Sequence, residues 1–279
     1  MSWDGRSVVI TGGNSGIGLR AAQALKKQGA AVTLACRDVA RSQREAPGFE
    51  VRELDLADLE SVARFAEGTG EVDALVCNAG VMGGTFAMTK QGYERQMGTN
   101  HLGHAALVAR LLPRTKRVVI ISSIAARGGR LHAGTTMDDL LSPSPYASMD
   151  VYANTKQANL LFSQELHRRV GDRVPVTCAH PGVSWTNLFP RQLREEGRGW
   201  LVPPMRVLGP VFLQPASAGA APTLMALDAP SGSFVGPKAL NQWRGKPHLL
   251  DVYTTGSDSA TAARLWDLTE EVLGLPLAS

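Results

Sequence analysis

Short apolar runs alternate with longer segments of helical periodicity along almost the whole sequence. The runs that predict strands are residues 7–11, 31–36, 49–54, 73–77, 117–121, 174–179 and 233–235. Apolar strands that alternate with amphipathic helices indicate a mainly parallel sheet with helices on both faces. We therefore predict an α/β fold, with a doubly wound sheet of about seven strands, in a single domain of 279 residues.

Between these runs, apolar residues recur three and four positions apart, which is typical of helices. The predicted helices cover about residues 17–27, 93–112, 150–170, 217–227 and 260–272, and a further helix begins at Asp58. In such sheets, ligands bind at the carboxyl ends of the strands, near the switch in strand order. Polar motifs that directly follow a strand are therefore the first candidates for a functional site.

The composition excludes several classes of protein. Hydrophobic residues make up 44% and charged residues 19%, and the net charge of +4 is spread along the chain, so neither disorder nor nucleic-acid binding is expected. Cys36, Cys77 and Cys178 lie far apart inside apolar runs, which predicts buried thiols rather than a disulfide or a metal site. Because no secretory signal precedes the first strand, we expect a cytoplasmic protein.

Residues 207–227 form an uncharged stretch of 21 residues, which is long enough to cross a membrane. The stretch contains Pro210, Pro215 and Pro222, and three prolines are difficult to accommodate in a spanning helix. We therefore expect no transmembrane span, and interpret the stretch as a buried or lid-forming segment.

A glycine-rich turn, residues 11–18, follows the first strand and opens the first helix. Gly12 permits a tight turn, Gly16 lets the backbone approach a pyrophosphate, and Gly18 lets the helix pack close to the sheet. The free N–H groups at the start of the helix attract an anion. The strand before and the helix after distinguish this turn from an ordinary connection, and predict a Rossmann-type nucleotide site. Its predicted contacts are Gly12, Asn14, Ser15, Gly16, Ile17 and Gly18.

The residues after the second strand bear on the choice of cofactor. An acid there holds the 2′-hydroxyl of NAD, whereas an arginine holds the 2′-phosphate of NADP. Arg37 follows the strand, and its guanidinium can bind phosphate oxygens in a fork, so NADP(H) is the predicted cofactor. Asp38 leaves NAD open, and a surface ion pair between Arg37 and Asp38 is a further alternative. Asp55 and Leu56, after the third strand, are placed to meet the adenine, unless Asp55 only caps the next helix.

Further motifs follow the later strands in a recognisable order. They are Asn78-Ala79-Gly80, Asn100, Ser122-Ser123 and Tyr152 with Lys156 four residues on. Together with the glycine turn, they resemble the short-chain dehydrogenase/reductase superfamily over nearly the whole chain. Residues 36–38, 99–104 and 156–162 are similar to the branch of the retinol dehydrogenases and WW-domain oxidoreductases. That branch also includes protochlorophyllide reductases and bacterial ketoreductases.

The resemblance implies a role for each matched residue. Tyr152 would be the acid/base that shares a proton with the substrate oxygen, and Ser123 would orient that oxygen. Lys156 shares a helix face with Tyr152, where its charge would lower the pKa of the tyrosine and its amine would hold the nicotinamide ribose. Asn100 would hold a water in the proton relay. The implied cofactor contacts also include Asn78, Ala79, Gly80, Tyr152, Lys156, Val183 and Thr186.

Two segments differ in length or composition from the rest of the pattern. Ser123 and Tyr152 are separated by an insertion at about residues 127–150, and a longer segment here is similar to the named branch. Tyr146 within it is not the expected acid, because Asp150 stands where the lysine should be. A variable lid at about residues 184–214 is rich in apolar side chains, which suits a bulky apolar substrate or contact with a second copy of the chain in a homo-oligomer.

The resemblance therefore implies an NADP(H)-dependent oxidoreductase that acts on a carbonyl or alcohol centre of a small lipophilic molecule. Two alternatives remain open: an NADP-binding sensor or scaffold with little turnover, and a C=C reductase of the protochlorophyllide reductase type. His101 and His104 have the spacing of metal ligands on a helix, but without an apparent third ligand we expect structural roles and no metal.

Overall fold

The molecule is organised around one central sheet. The structure is a computed structural model that describes residues 2–184 and 214–278, together with Gly197 and Trp200. Within these residues the sheet has eight strands in the order β3-β2-β1-β4-β5-β6-β7-β8. The strands are β1 (Ser7–Thr11), β2 (Ala31–Cys36), β3 (Glu50–Glu53), β4 (Ala74–Cys77), β5 (Val118–Ile121), β6 (Val176–Ala179), β7 (Phe234–Ala239) and β8 (Arg244–Leu250). All neighbouring pairs are parallel except β7 with β8. The predicted α/β fold with a mainly parallel sheet is confirmed.

The helices fill the connections between these strands. They are α1 (Gly16–Lys27), α2 (Val39–Glu45), α3 (Leu59–Glu67), α4 (Arg95–Met97), α5 (Gly103–Leu111), α6 (Met137–Leu141), α7 (Ser148–Val170), α8 (Ala216–Asp228), α9 (Thr254–Ser257) and α10 (Ser259–Leu273). The predicted helix over residues 93–112 is interrupted, because a π-helical turn at Gly98–Leu102 joins α4 to α5. Such turns shift the backbone hydrogen-bond ladder and occur frequently at functional sites.

The helices cover both faces of the sheet, as expected for continuously apolar strands. One face packs Ala21 and Leu25 of α1, with Leu227 of α8, against the strands. The other face packs Phe65 of α3 and Phe162 of α7, together with side chains of α5. Both layers hold the carboxyl ends of β1 and β4 in place, and the strand order reverses between these two strands.

Strand β8 is not predicted from the sequence. Its residues, Arg244–Leu250, form no continuous apolar run. The strand pairs antiparallel with β7 and lies at the edge of the sheet. Because an edge strand buries little of its surface, it needs no continuous apolar run. The turn between β7 and β8 places Leu240, Asn241 and Gln242 at positive φ angles of 47°, 52° and 68°.

Helix α8 takes up the second half of the uncharged stretch 207–227, and residues 207–213 lie outside the described part of the chain. Pro222 is tolerated inside this helix. Among the described residues, no helix combines the length and apolar character needed to cross a bilayer.

Candidate active site

A cleft of about 840 Å³ opens at the carboxyl ends of the parallel strands. This is the edge of the sheet at which doubly wound folds bind ligands, and the reversal of strand order lies there. The predicted site residues that line it are Gly12, Asn14, Ser15, Gly16, Ile17, Gly18, Arg37, Asp55, Leu56, Asn78, Ala79, Gly80, Ser123, Tyr152, Lys156 and Val183. Asn100 lies behind the cleft wall, and Thr186 lies outside the described residues.

The glycine turn has the backbone shape that the sequence predicts for it. Gly12 and Gly16 have φ angles of 64° and 55°, which side chains rarely tolerate. A Cβ atom on Gly18 would lie 2.5 Å from Nδ2 of Asn78 and 2.8 Å from the Gly12 carbonyl oxygen. The turn is therefore packed against Asn78 and leaves the start of α1 facing the cleft, where it could hold a phosphate.

We expect Gly18→Ala to lower the free energy of unfolding by about 1–3 kcal/mol, because Asn78 must move to make room for the new methyl group. Urea denaturation measures this change. Gly70→Ala is the control, since a Cβ atom there meets nothing within 4 Å. Equal stability of the two variants would contradict the close packing of Gly18.

Thr11 connects the glycine turn to the end of β4, a role that the sequence analysis missed. Its hydroxyl oxygen accepts hydrogen bonds from the backbone N–H groups of Asn78 and Ala79, each at 2.9 Å. Nδ2 of Asn78 in turn donates to the Thr11 carbonyl at 2.8 Å. The two strand ends that form the floor of the cleft are therefore fastened together. A polar residue at the end of an apolar strand is the sequence signal that could have identified Thr11.

The arginine and the acid after β2 do not form an ion pair with each other. Oδ1 of Asp38 accepts the backbone N–H of Arg41 at 2.9 Å and thereby caps α2. Arg41 donates to Oε1 of Glu45 at 2.7 Å. Within the described residues no acceptor lies within hydrogen-bond distance of the exposed Arg37 guanidinium, which lines the cleft. The surface-pair alternative is therefore wrong, and Arg37 could meet an anion.

Asp55 lines the cleft and does not cap the following helix. Its Oδ1 accepts the backbone N–H of Ala57 at 2.9 Å, whereas Asp58 caps α3 by accepting from Glu60. The capping alternative for Asp55 is therefore wrong, and Asp55 and Leu56 remain beside the cleft.

Tyr152 and Ser123 meet in the cleft although 29 residues separate them in sequence. Ser123 lies two residues after β5 and Tyr152 lies in α7, and both side chains line the cleft. Burial raises the pKa of the Tyr152 hydroxyl, and the nearby Ser123 side chain offsets part of that rise. The lowering of this pKa expected from Lys156 is not found, and burial is the dominant influence on the Tyr152 hydroxyl.

The buried Lys156 amine lies 5.9 Å from the centre of the Tyr152 ring and donates to the Ile121 carbonyl at 3.2 Å. Burial lowers its pKa to about 8. A Cβ atom on Gly80 would lie 3.5 Å from this amine and 3.3 Å from Oδ1 of Asn100. Asn100 thus approaches the cleft from behind Gly80.

The lowered pKa of Lys156 makes stability depend on pH in a defined direction. Below about pH 8 the amine is charged in both the folded and the unfolded chain, and burying the charge costs free energy. Between about pH 8 and 10.5 the unfolded chain keeps a proton that the folded chain has lost, so stability rises with pH.

We expect Lys156→Met to be more stable than the wild type at pH 7, by an amount that shrinks by about 3 kcal/mol as the pH rises to 10.5. Urea unfolding of both proteins across this range measures the difference. Other titrating groups affect both proteins alike, so a difference that stays constant with pH would contradict a lowered pKa.

The loop after β6 carries Val183, and both of its backbone polar groups have partners. Its N–H donates to the Trp243 carbonyl at 2.8 Å, and its carbonyl accepts the N–H of Gln214 at 3.3 Å. Trp243 lies at the turn between β7 and β8, which therefore supports the cleft wall. The sequence carries no signal for this contact, because β8 and its turn have no local pattern that predicts them.

Tyr146 and Asp150 of the insertion are engaged by partners outside the cleft. The Tyr146 hydroxyl donates to Oε1 of the buried Glu94 at 3.1 Å, and Tyr146 does not line the cleft. Asp150 forms an ion pair with Arg130 at 3.1 Å. These contacts agree with the prediction that Tyr146 is not the acid.

The two histidines of the π-turn region are buried and bonded to threonines. Nε2 of His101 lies 2.9 Å from the hydroxyl of Thr269, and Nε2 of His104 lies 2.9 Å from the hydroxyl of Thr11. In the described part of the chain, no three His, Cys, Asp or Glu side chains come together as metal ligands would.

Comparison with known proteins agrees with this architecture. The family model described as short chain dehydrogenase matches residues 6–135. Retinol dehydrogenase 11 of Homo sapiens is 33% identical over 297 residues, covering 98% of this chain and 87% of that protein. Dehydrogenase/reductase SDR family member 13 of Bos taurus is 35% identical and covers 97% and 74%. A crystal structure of a protein from Mycobacterium paratuberculosis is 39% identical, with a TM-score of 0.83 over 99% of this chain and 96% of that chain.

Proposed function

Because this chain belongs to the short-chain dehydrogenase/reductase family of oxidoreductases, in its retinol dehydrogenase-like branch, we propose that it transfers a hydride between NADP(H) and a carbonyl or alcohol centre of a bulky apolar molecule. One observation carries the proposal. A single cleft contains the Tyr152–Ser123 pair, the Lys156 amine, the glycine turn and the Arg37 guanidinium. A nucleotide cradle and an acid/base pair in one cleft are what such a reaction requires.

The residues of this chain supply binding, orientation and the proton. Tyr152 would donate its hydroxyl proton to the substrate oxygen during reduction, and Ser123 would hold that oxygen. Lys156 would hold the nicotinamide ribose with its amine, and Asn100 supports the wall beside it. When bound, the nicotinamide cofactor would supply or accept the hydride.

The cofactor would lie along the cleft from Arg37 to Val183. The glycine turn and the start of α1 would hold its pyrophosphate, and Arg37 would hold the 2′-phosphate of NADP(H). Because the N–H of Val183 is engaged by Trp243, we propose that the Val183 carbonyl, which has a second lone pair, meets the carboxamide. Thr186, the other residue implied there, lies outside the described residues.

The substrate end of the cleft is apolar in the part that the structure describes. Met82, Ile124, Ala125 and Met149 line the cleft, and the last three lie within three residues of Ser123 or Tyr152 in sequence. Met149 is 45% exposed one turn before Tyr152, where it could contact a substrate that enters from solvent. These side chains support a bulky apolar carbonyl compound or alcohol as substrate.

This proposal is tested by following the loss of NADPH absorbance in the presence of candidate substrates. The panel consists of lipophilic ketones, aldehydes and conjugated enones. We expect oxidation of NADPH with at least one ketone or aldehyde, and slower oxidation of NADH. Binding of NADPH without turnover across the panel would indicate a sensor or scaffold instead. Activity confined to the C=C bond of the enones would indicate a C=C reductase of the protochlorophyllide reductase type.

The compartment and assembly are also proposals. Cys36, Cys77 and Cys178 are buried free thiols, which suits the reducing cytoplasm. Fractionation of the native cell, followed by immunodetection, tests that location. Light scattering on the purified protein tests whether the lid supports a homo-oligomer.

A further inference from the structure

His104 lies between two elements of the cleft that are distant in sequence. The side chain is 3% exposed and stands one helical turn after Asn100. Its Nε2 lies 2.9 Å from the Thr11 hydroxyl, and its Nδ1 lies 2.9 Å from the Asn100 backbone carbonyl. The imidazole therefore connects the end of β1 with the π-helical turn.

These contacts determine which ring nitrogen carries the proton. A carbonyl oxygen can only accept, so Nδ1 of His104 must be the donor toward Asn100. Burial lowers the pKa of His104 to about 4, so the ring is neutral at pH 7 and Nε2 has a lone pair. An unprotonated Nε2 can only accept, so the Thr11 hydroxyl is the donor in this contact. The contact is also shorter than the 3.4 Å contact of the same hydroxyl with the Val76 carbonyl.

The same two partners hold opposite ends of the cleft segment at residues 78–81. The Thr11 oxygen accepts the N–H groups of Asn78 and Ala79. The Asn100 side chain holds Val81, accepting its N–H at 2.8 Å and donating to its carbonyl at 2.9 Å. A hydrogen-bond chain of fixed direction therefore runs from this segment through Thr11 and the imidazole to Asn100.

We infer that His104, as the Nδ1–H tautomer, is a positioning residue that fixes the glycine turn and the Asn100 turn relative to each other. This inference deepens the proposed function and rests on it for its kinetic consequence. The Thr11 end of this hydrogen-bond chain holds the floor of the nucleotide site. The Asn100 side holds the wall that faces Lys156. Each side therefore supports a different step, namely cofactor binding and chemistry.

Two substitutions at His104 separate the two bonds. His104→Asn keeps an amide donor near the position of Nδ1 and removes the bond to Thr11. His104→Gln keeps an oxygen acceptor near the position of Nε2 and removes the bond to Asn100. One hydrogen bond is worth about 0.5–1.5 kcal/mol, or about two- to tenfold.

We expect His104→Asn to raise the Kd of NADPH by about two- to tenfold at unchanged kcat. For His104→Gln we expect kcat to fall by about two- to tenfold at unchanged Kd. Titration of NADPH by fluorescence gives Kd, and the most active ketone or aldehyde of the panel gives kcat. His101→Gln is the control, because His101 is equally buried nearby but bonds Thr269. We expect it to change thermal stability only.

A structural role alone would lower the melting temperature in both His104 variants and leave kcat and Kd unchanged, which would overturn the inference. The ¹⁵N shifts of the imidazole provide a second readout, and an Nε2–H tautomer would also overturn it. The tautomer and the NADPH titration require no turnover. If the wild type binds NADPH but reduces nothing, the proposed function fails, while the tautomer and the difference in Kd between the two variants still decide the role of His104.

Discussion

Replacing Tyr152 with phenylalanine is expected to lower turnover by about 10²–10⁴-fold, the usual contribution of a positioned acid/base. The substitution keeps the buried ring and removes only the hydroxyl, in a cleft that Ser123 also lines. Binding of NADPH should survive, because the glycine turn and Arg37 do not depend on that hydroxyl. Steady-state kinetics with a reactive ketone or aldehyde, together with a fluorescence titration of NADPH, measures both quantities.

Tyr146→Phe is the matched control for this experiment. It also removes one tyrosine hydroxyl, but that hydroxyl donates to Glu94 outside the cleft. We expect its turnover to stay at the wild-type level, with a loss of stability only. Near-normal turnover in Tyr152→Phe, or equal losses in the two variants, would exclude Tyr152 as the acid/base.

Arg37→Ala is expected to weaken NADPH binding by about ten- to a hundredfold and to leave NADH binding unchanged. A charge-assisted contact with a phosphate is worth about 1.5–3 kcal/mol, and each 1.4 kcal/mol is tenfold in affinity. The Arg37 guanidinium can provide this contact without first breaking a bond to another described side chain. NADH has no phosphate at the 2′ position, so it should not respond. Calorimetric titration of both proteins with both cofactors measures the four affinities.

Arg44→Ala controls for the loss of a positive charge, because Arg44 is exposed at the end of α2 and does not line the cleft. We expect it to leave both affinities unchanged. If the wild type prefers NADH, or if Arg37→Ala weakens both cofactors alike, Arg37 does not select NADP. Asp38 would then be the candidate for a 2′-hydroxyl contact.

The elements that the sequence predicts correctly are those with a strong local pattern. Strands β1, β2, β4, β5 and β6 are short apolar runs, and a buried parallel strand needs no other signal. The glycine turn is equally local, because Gly12 and Gly16 need positive φ angles and no distant partner. The sequence does not predict the elements with weak local patterns, which are strand β8, helix α2 and the π-helical turn.

The partners of the site residues could not be predicted in the same way. The sequence places Arg37 beside Asp38, but only the fold shows that Asp38 caps α2 and leaves Arg37 toward the cleft. It also places Val183 after β6, but the N–H of Val183 is engaged by a carbonyl in the turn of the β7–β8 hairpin. Sequence spacing carries no information about such contacts, because they depend on how distant segments pack.

The sequence by itself determined the class of fold, the position of the glycine turn and the pairing of Tyr152 with Lys156 on one helix face. These follow from periods of two to four residues, which the backbone imposes locally. Only the tertiary structure decided that the hydroxyl of Thr11 meets the imidazole of His104, 93 residues away. Burial then lowered the pKa of that ring and the pKa of the Lys156 amine. Both are consequences of packing, since the cost of a buried charge depends on every segment that excludes water from it.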